Sequence, residues 1–160
     1  MRGSDASQTL LFNFVTIEER VPAKHPIRAL RTAAAAVLSE LRSRIDQAYD
    51  RRGRTAIPAE QVLRALVIWS FYDVPSERQL LEALEYNLLF RWFVGLELGD
   101  EVWSREAFRR NRRRLHDCGV VAEFLARLCA RSRGRLLANP HFHVNRTLID
   151  EWSGQQSIDV

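Results

Sequence analysis

From Ile27 to Ala48 the apolar residues of this chain recur at spacings of three and four: Ile27, Leu30, Ala34, Val37, Leu38, Leu41, Ile45 and Ala48. That is the period that lines one face of an α-helix, and it commits this stretch to an amphipathic helix resting on a core. Four consecutive alanines, Ala33 to Ala36, add helix propensity. The stretch Arg51-Arg52-Gly53-Arg54 predicts the helix end. Pro58 and Glu60 read as the first turn of a second helix. From Val62 to Tyr72 that helix is apolar nearly all round, so it belongs at the buried centre.

Asp73-Val74-Pro75 predicts a turn, and Ser76-Glu77-Arg78-Gln79 a capping box that opens a third helix. This helix carries Leu80, Leu81 and Leu84 and continues or restarts through Leu88 to Phe93. Gly95 and the run Glu97 to Glu101 predict a loop. Ser104 then caps a basic helix reaching about Asp117, which Gly119 breaks. Val121, Phe124, Leu125, Leu128 and Leu136 mark one more amphipathic helix. After Asn139-Pro140 the period changes: Phe142 and Val144 alternate with His143 and Asn145, and Leu148-Ile149 follow, so residues 142–149 read as a strand. The expected fold is mainly α. A helical bundle with helix-turn-helix character fills residues 1–137, and one C-terminal strand lies in residues 138–160.

A chain of 160 residues buries roughly 70% of its unfolded surface without staples. Cys118 and Cys129 are too few for a disulfide framework, which fits a cytoplasmic setting, and both read as buried, inert thiols. No run approaches the ~18–20 apolar residues of a membrane span. The formal charge of +4 is unevenly spread. Residues 104–135 hold 10 basic and 3 acidic side chains, whereas the rest of the chain is net acidic. Charge concentrated in this way faces an anionic partner, most commonly nucleic acid.

The basic helix supplies most of that excess. At about 100° per residue, Phe108, Asn111, Leu115 and Cys118 share one arc, with Ala107 beside them. Arg105, Arg109, Arg110, Arg112, Arg113 and Arg114 cover the rest. One face is expected to dock on the body while six guanidiniums face solvent. Like charges at this spacing repel, which favours a phosphate partner over a purely structural helix. Such contacts position a duplex and do not specify its sequence. The helix pair around Asp73-Val74-Pro75 is a second helix-turn-helix candidate, with Arg78 and Gln79 as further DNA-contacting residues. Tight turns also join antiparallel helices in any bundle.

His141 and His143 would share one side of a strand near Asp150 and Glu151, but no metal-binding spacing accompanies them. They are expected to be satisfied or solvent-facing, with no metal bound. Trp69, Trp92 and Trp152 read as core; Trp103, next to the basic helix, is a candidate stacking platform. No phosphate loop, nucleophile elbow or catalytic triad can be argued from spacing.

Several motifs in order resemble bacterial insertion-sequence transposases of the InsH type. They are Leu11-Phe12-Asn13-Phe14 through Glu18-Glu19-Arg20-Val21-Pro22 and His25-Pro26-Ile27-Arg28; Ser76-Glu77-Arg78-Gln79-Leu80; Tyr86 to Leu96; the Arg-rich helix; and His141-Phe142-His143-Val144 with Thr147-Leu148-Ile149. The resemblance implies a helical DNA-binding region over residues 1–137 and, over 138–160, the truncated start of a ribonuclease-H-like catalytic domain, in which three acids hold Mg or Mn ions. In the family pattern the first acid is the Asp of Asp-Gly-Thr, where this chain has Asn145-Arg146-Thr147. A neutral amide lacks the charge that such a site depends on. With Asn145 there and the other acids expected past Val160, the chain reads as a truncated transposase. It is expected to bind double-stranded DNA, ideally insertion-sequence ends, without strand chemistry and without a cofactor. The alternative is a protein–protein or regulatory module whose Leu-rich helices dimerise, pair with an intact transposase or grip an acidic partner.

Overall fold

A computed structural model describes residues 16–49, 57–134 and 136–154. Among these residues the regular structure is entirely helical: α1 (Ile17–Arg20), α2 (Pro26–Glu40), α3 (Arg42–Ala48), α4 (Ala59–Phe71), α5 (Glu77–Tyr86), α6 (Leu88–Val94), α7 (Arg105–Asp117), α8 (Val120–Ser132) and α9 (Arg146–Ser153). The segments around Leu11, Arg51–Arg54 and Ile158–Val160 lie outside the described residues.

The central element is α4. Val62, Leu63 and every residue from Ala65 to Phe71 are buried, and α5, α6, α7, α8 and α9 all pack against it. Pro58 sits one residue earlier than expected, at the N-cap. The helix expected from Ile27 to Ala48 is two helices, because Leu41 (φ −90°, ψ 2°) interrupts it. The apolar stripe crosses that break intact: Ile27, Leu30, Ala34, Val37, Leu38, Leu41 and Ile45 are all buried.

Short polar residues set the boundaries. Thr16 and Glu19 form a reciprocal capping box on α1. Ser76 Oγ accepts from the Gln79 amide, but its hydroxyl donates to Gln79 Oε1, so the reciprocal half of the expected box is absent. Asn87 accepts from the Phe90 amide and restarts the chain as α6. Leu136 falls beyond α8, which stops at Ser132 before Gly134 turns the chain at φ +82°.

The expected C-terminal strand does not form. Residues 142–145 are irregular and Arg146–Ser153 is a helix. The side chain of Asn145 accepts from the Leu148 amide at 2.9 Å and starts it. Ile149 and Trp152, three apart, then bury one face, with the Trp152 ring edge-on to Trp69 at 5.1 Å. A solitary strand would leave its amides and carbonyls without partners, whereas a helix pairs them internally. Phe142, Ile149 and Trp152 join the same hydrophobic cluster as the preceding helices.

Candidate nucleic-acid interface

Ser104 caps α7 by accepting from the Ala107 amide at 3.2 Å, and the helix ends where Gly119 adopts φ +71°. Phe108, Asn111 and Leu115 are its buried face, as their arc requires. Asn111 is satisfied there, donating to the Ala107 carbonyl (2.8 Å) and accepting from Tyr49 Oη (3.2 Å). Burial pushes the Tyr49 hydroxyl up to about 12, so it remains a donor. Cys118 is exposed, contrary to expectation, because the helix ends beneath it; Cys129 is buried, which raises its thiol to about 11. Trp103 is half-buried and stacks on Phe108, with centroids 5.8 Å apart, so that ring face is taken by the protein's own core.

The six arginines do not all face solvent freely. Glu77, at the first position of α5, is only 7% exposed in its side chain and receives three of them. Arg105 Nε and an Arg109 terminal nitrogen reach Glu77 Oε1 at 3.0 and 3.1 Å, and Arg112 reaches Oε2 at 3.3 Å. Arg112 also lies over the Trp69 ring at 5.2 Å, and Arg114 over Tyr49 at 5.3 Å. Arg113 pairs loosely with Asp117 at 3.7 Å. Arg110 has no ion pair among the described residues. Arg105, Arg109, Arg110, Arg113 and Arg114 are nonetheless exposed, and Arg112 is half-buried.

Arg78 and Gln79 are exposed in the first turn of α5, next to Glu77 and therefore at the edge of the α7 face. Beside that face a cleft of about 320 Å³ opens between α7, α8 and α9. Leu66, Val121 and Trp152 contribute apolar lining, and Arg109, Arg112, Arg113 and His116 a basic one, with Glu151 as the carboxylate.

Sequence reasoning misses Glu77. It lies 28 to 35 residues from the arginines it binds, and nothing local to Ser76–Gln79 distinguishes a core-facing Glu from a solvated first-turn acid.

Residues 15–114 match the family model for the transposase domain (DUF772). The chain belongs to this transposase domain family. The match ends within α7 and so takes in all six arginines of the basic face, Arg78, Gln79 and Glu77. No curated protein and no solved structure matches the chain. No helix among the described residues of this transposase domain protein is long and apolar enough to cross a membrane.

Among the described residues, the side chain at 145 does not fit a metal centre. Asn145 uses both ends of its amide: Oδ1 takes the Leu148 amide, and Nδ2 donates to Asp73 Oδ1 at 2.7 Å. Its backbone amide donates to the Ser70 carbonyl at 2.7 Å. Among the described residues, no group of three or more His, Cys, Asp or Glu side chains is arranged to hold a metal. His141 and His143 do not act together. His143 is exposed, while His141 contacts Tyr72 Oη through Nε2 at 3.1 Å and packs edge-on against His25 at 4.4 Å.

Proposed function

We propose that the chain is a DNA-binding region of an insertion-sequence transposase and that its α7 face grips the phosphates of double-stranded DNA. Arg105, Arg109, Arg110, Arg113 and Arg114 make the contacts, Arg112 supports them from over Trp69, and Arg78 and Gln79 extend the face. The observation that carries this reading is the buried Glu77 with its three arginines. Long cationic side chains normally lose entropy on gripping a ligand. Here a buried acid has already placed Arg105 and Arg109 with about half of each side chain still exposed.

Six arginines against Glu77, Glu106 and Asp117 leave the face strongly cationic. Phosphate contacts of this kind position a duplex; base readout is not part of the proposal. We also infer that the chain alone neither cuts nor joins DNA. Asn145, at the position of the family's first acid, is neutral and holds a helix cap. Whether the duplex is an insertion-sequence end is decided by competition between end and random sequences.

The test is the salt dependence of duplex binding. With about five phosphates neutralised, log K against log salt should slope at roughly −4 to −5. Replacing Arg109, Arg110 and Arg113 together by Gln should flatten the slope by roughly two to three units while the helical circular dichroism is unchanged. An unchanged slope in a folded triple variant overturns the assignment of α7.

A further inference from the structure

A second basic groove lies on the other side of α4. Arg64 projects from α4 about 140° away from Trp69 and about 200° from Leu66, counting about 100° per residue. Leu66 lines the α7 cleft and Trp69 carries Arg112, so Arg64 faces away from the proposed duplex. The groove has a volume of about 520 Å³ and is bounded by Glu18, Arg28, Arg31, Arg64 and Trp92, with Thr32 and Ala35 on its rim.

Its charges are unequally satisfied. Arg28 pairs with the Glu18 carboxylate and donates to the carbonyls of Glu18 (2.9 Å), Val21 (2.8 Å) and Pro22 (3.1 Å). The same carboxylate accepts from Trp92 Nε1, so little of it is left for Arg31, which stands 3.7 Å away. Arg31 instead lies over the Trp92 ring, 4.2 Å from its centroid. Among the described residues Arg64 has one hydrogen bond, to the Val94 carbonyl at 3.3 Å, and its buried Nε has no partner there. Glu18 therefore serves Arg28 closely and Arg31 at a distance, and Arg64 makes no ion pair among the described residues. Burial, and the neighbouring guanidiniums, hold the Arg31 and Arg64 pKa values below the usual arginine range, although both stay charged at neutral pH. Glu97 offsets this in part at Arg31, and Glu60 at Arg64.

An unmet pair of partly desolvated guanidiniums is the arrangement that a tetrahedral oxyanion relieves, because each planar fork can donate two parallel hydrogen bonds. We propose that Arg31 and Arg64, with Arg28 behind them, form a second phosphate-binding site, separate from the α7 face. Trp92 provides the surface that Arg31 rests on. The phosphate is either free in solution or a phosphodiester of a polynucleotide, and the chemistry of the groove serves both. This site does not depend on the assignment of α7.

The experiment compares thermal unfolding of the full chain in sodium phosphate and in sodium chloride at matched ionic strength. At tenfold excess over Kd, phosphate should raise Tm by about 3–5 °C more than chloride does. Two variants should lose that increment: Arg31→Gln combined with Arg64→Gln, and Ala35→Glu. Ala35 is an exposed helical position, so its replacement leaves the fold intact while placing a carboxylate at the groove. The Arg109/Arg110/Arg113 triple variant should keep the increment, which separates failure of the α7 assignment from failure of this one. Duplex titrations identify the source. If the groove takes a polynucleotide, Ala35→Glu also lowers duplex affinity several-fold; if it takes a free anion, duplex binding is unchanged while the phosphate increment is lost. The proposal is overturned if phosphate does no more than chloride, or if Ala35→Glu and the double variant respond to phosphate as the parent does.

Discussion

Glu77 and Glu18 each gather a set of arginines, and the burial of the acid separates what the two sets can do. Glu77 is 7% exposed and holds a guanidinium nitrogen of each of Arg105, Arg109 and Arg112, while about half of Arg105 and Arg109 remains in water. Glu18 is 58% exposed and spends itself on Arg28 and Trp92, which leaves Arg31 and Arg64 short of partners. The first acid orders a cationic surface. The second anchors the N-terminal helix and leaves a local deficit of negative charge. Counting arginines would rate the two clusters alike; the position of the acid tells them apart.

The strongest way to break the comparison is Glu77→Ala. It removes three charge-assisted contacts to a buried group and should cost about 2–3 kcal/mol, below the value for a fully buried pair because the arginines stay partly hydrated. Urea unfolding measures this, and a loss under about 0.5 kcal/mol would show that the arginines do not need the acid. Next in size is the contrast within α7. Arg112→Gln should cost about 1 kcal/mol, since it gives up both Glu77 and Trp69. Arg110→Gln should leave stability unchanged while flattening the salt slope of duplex binding by about one unit. Equal effects of the two on both readouts would erase the distinction between supporting and contacting residues.

The smallest effect is expected at Glu18, and it carries a pH signature. Hydrogen bonds from Trp92 and Arg28 hold this carboxyl below its usual 4.5. Its contribution is therefore present in full above pH 4.5 and lost as pH falls through the depressed value. Glu18→Gln should have a lower Tm than the parent at pH 7, with the gap closing in acid. A gap that persists below the titration of the parent's carboxyl would mean the side chain acts by shape alone.

Much of α7 is legible in the amino-acid sequence. Its start at Ser104, its end near Gly119 and its buried arc all follow from capping chemistry and helical period. The Leu41 break is not legible, because an apolar stripe with the right spacing continues across it. The C-terminal region reads as a strand because two alternating pairs, Phe142–His143 and Val144–Asn145, outweigh the spacing of Ile149 and Trp152 and the capping side chain of Asn145. Of the candidate interface, the residue types and their face are readable. Their internal partner is not, since the Glu77 contact is made only when α5 packs on α7.

Asn145 has a consequence for which side chains positions 73 and 145 can hold together. Its amide oxygen does what an aspartate could also do, accepting from the Leu148 amide, but its amide nitrogen does what an aspartate cannot, donating to Asp73. An Asp at 145 would keep the cap and set two carboxylates against each other at a position where Asp73 is already held at φ +46°. A carboxylate at 145 is therefore disfavoured unless Asp73 changes as well or a cation lies between the two acids. The two positions, 72 residues apart in sequence, are thus coupled, and a change at 73 should make an acid at 145 tolerable.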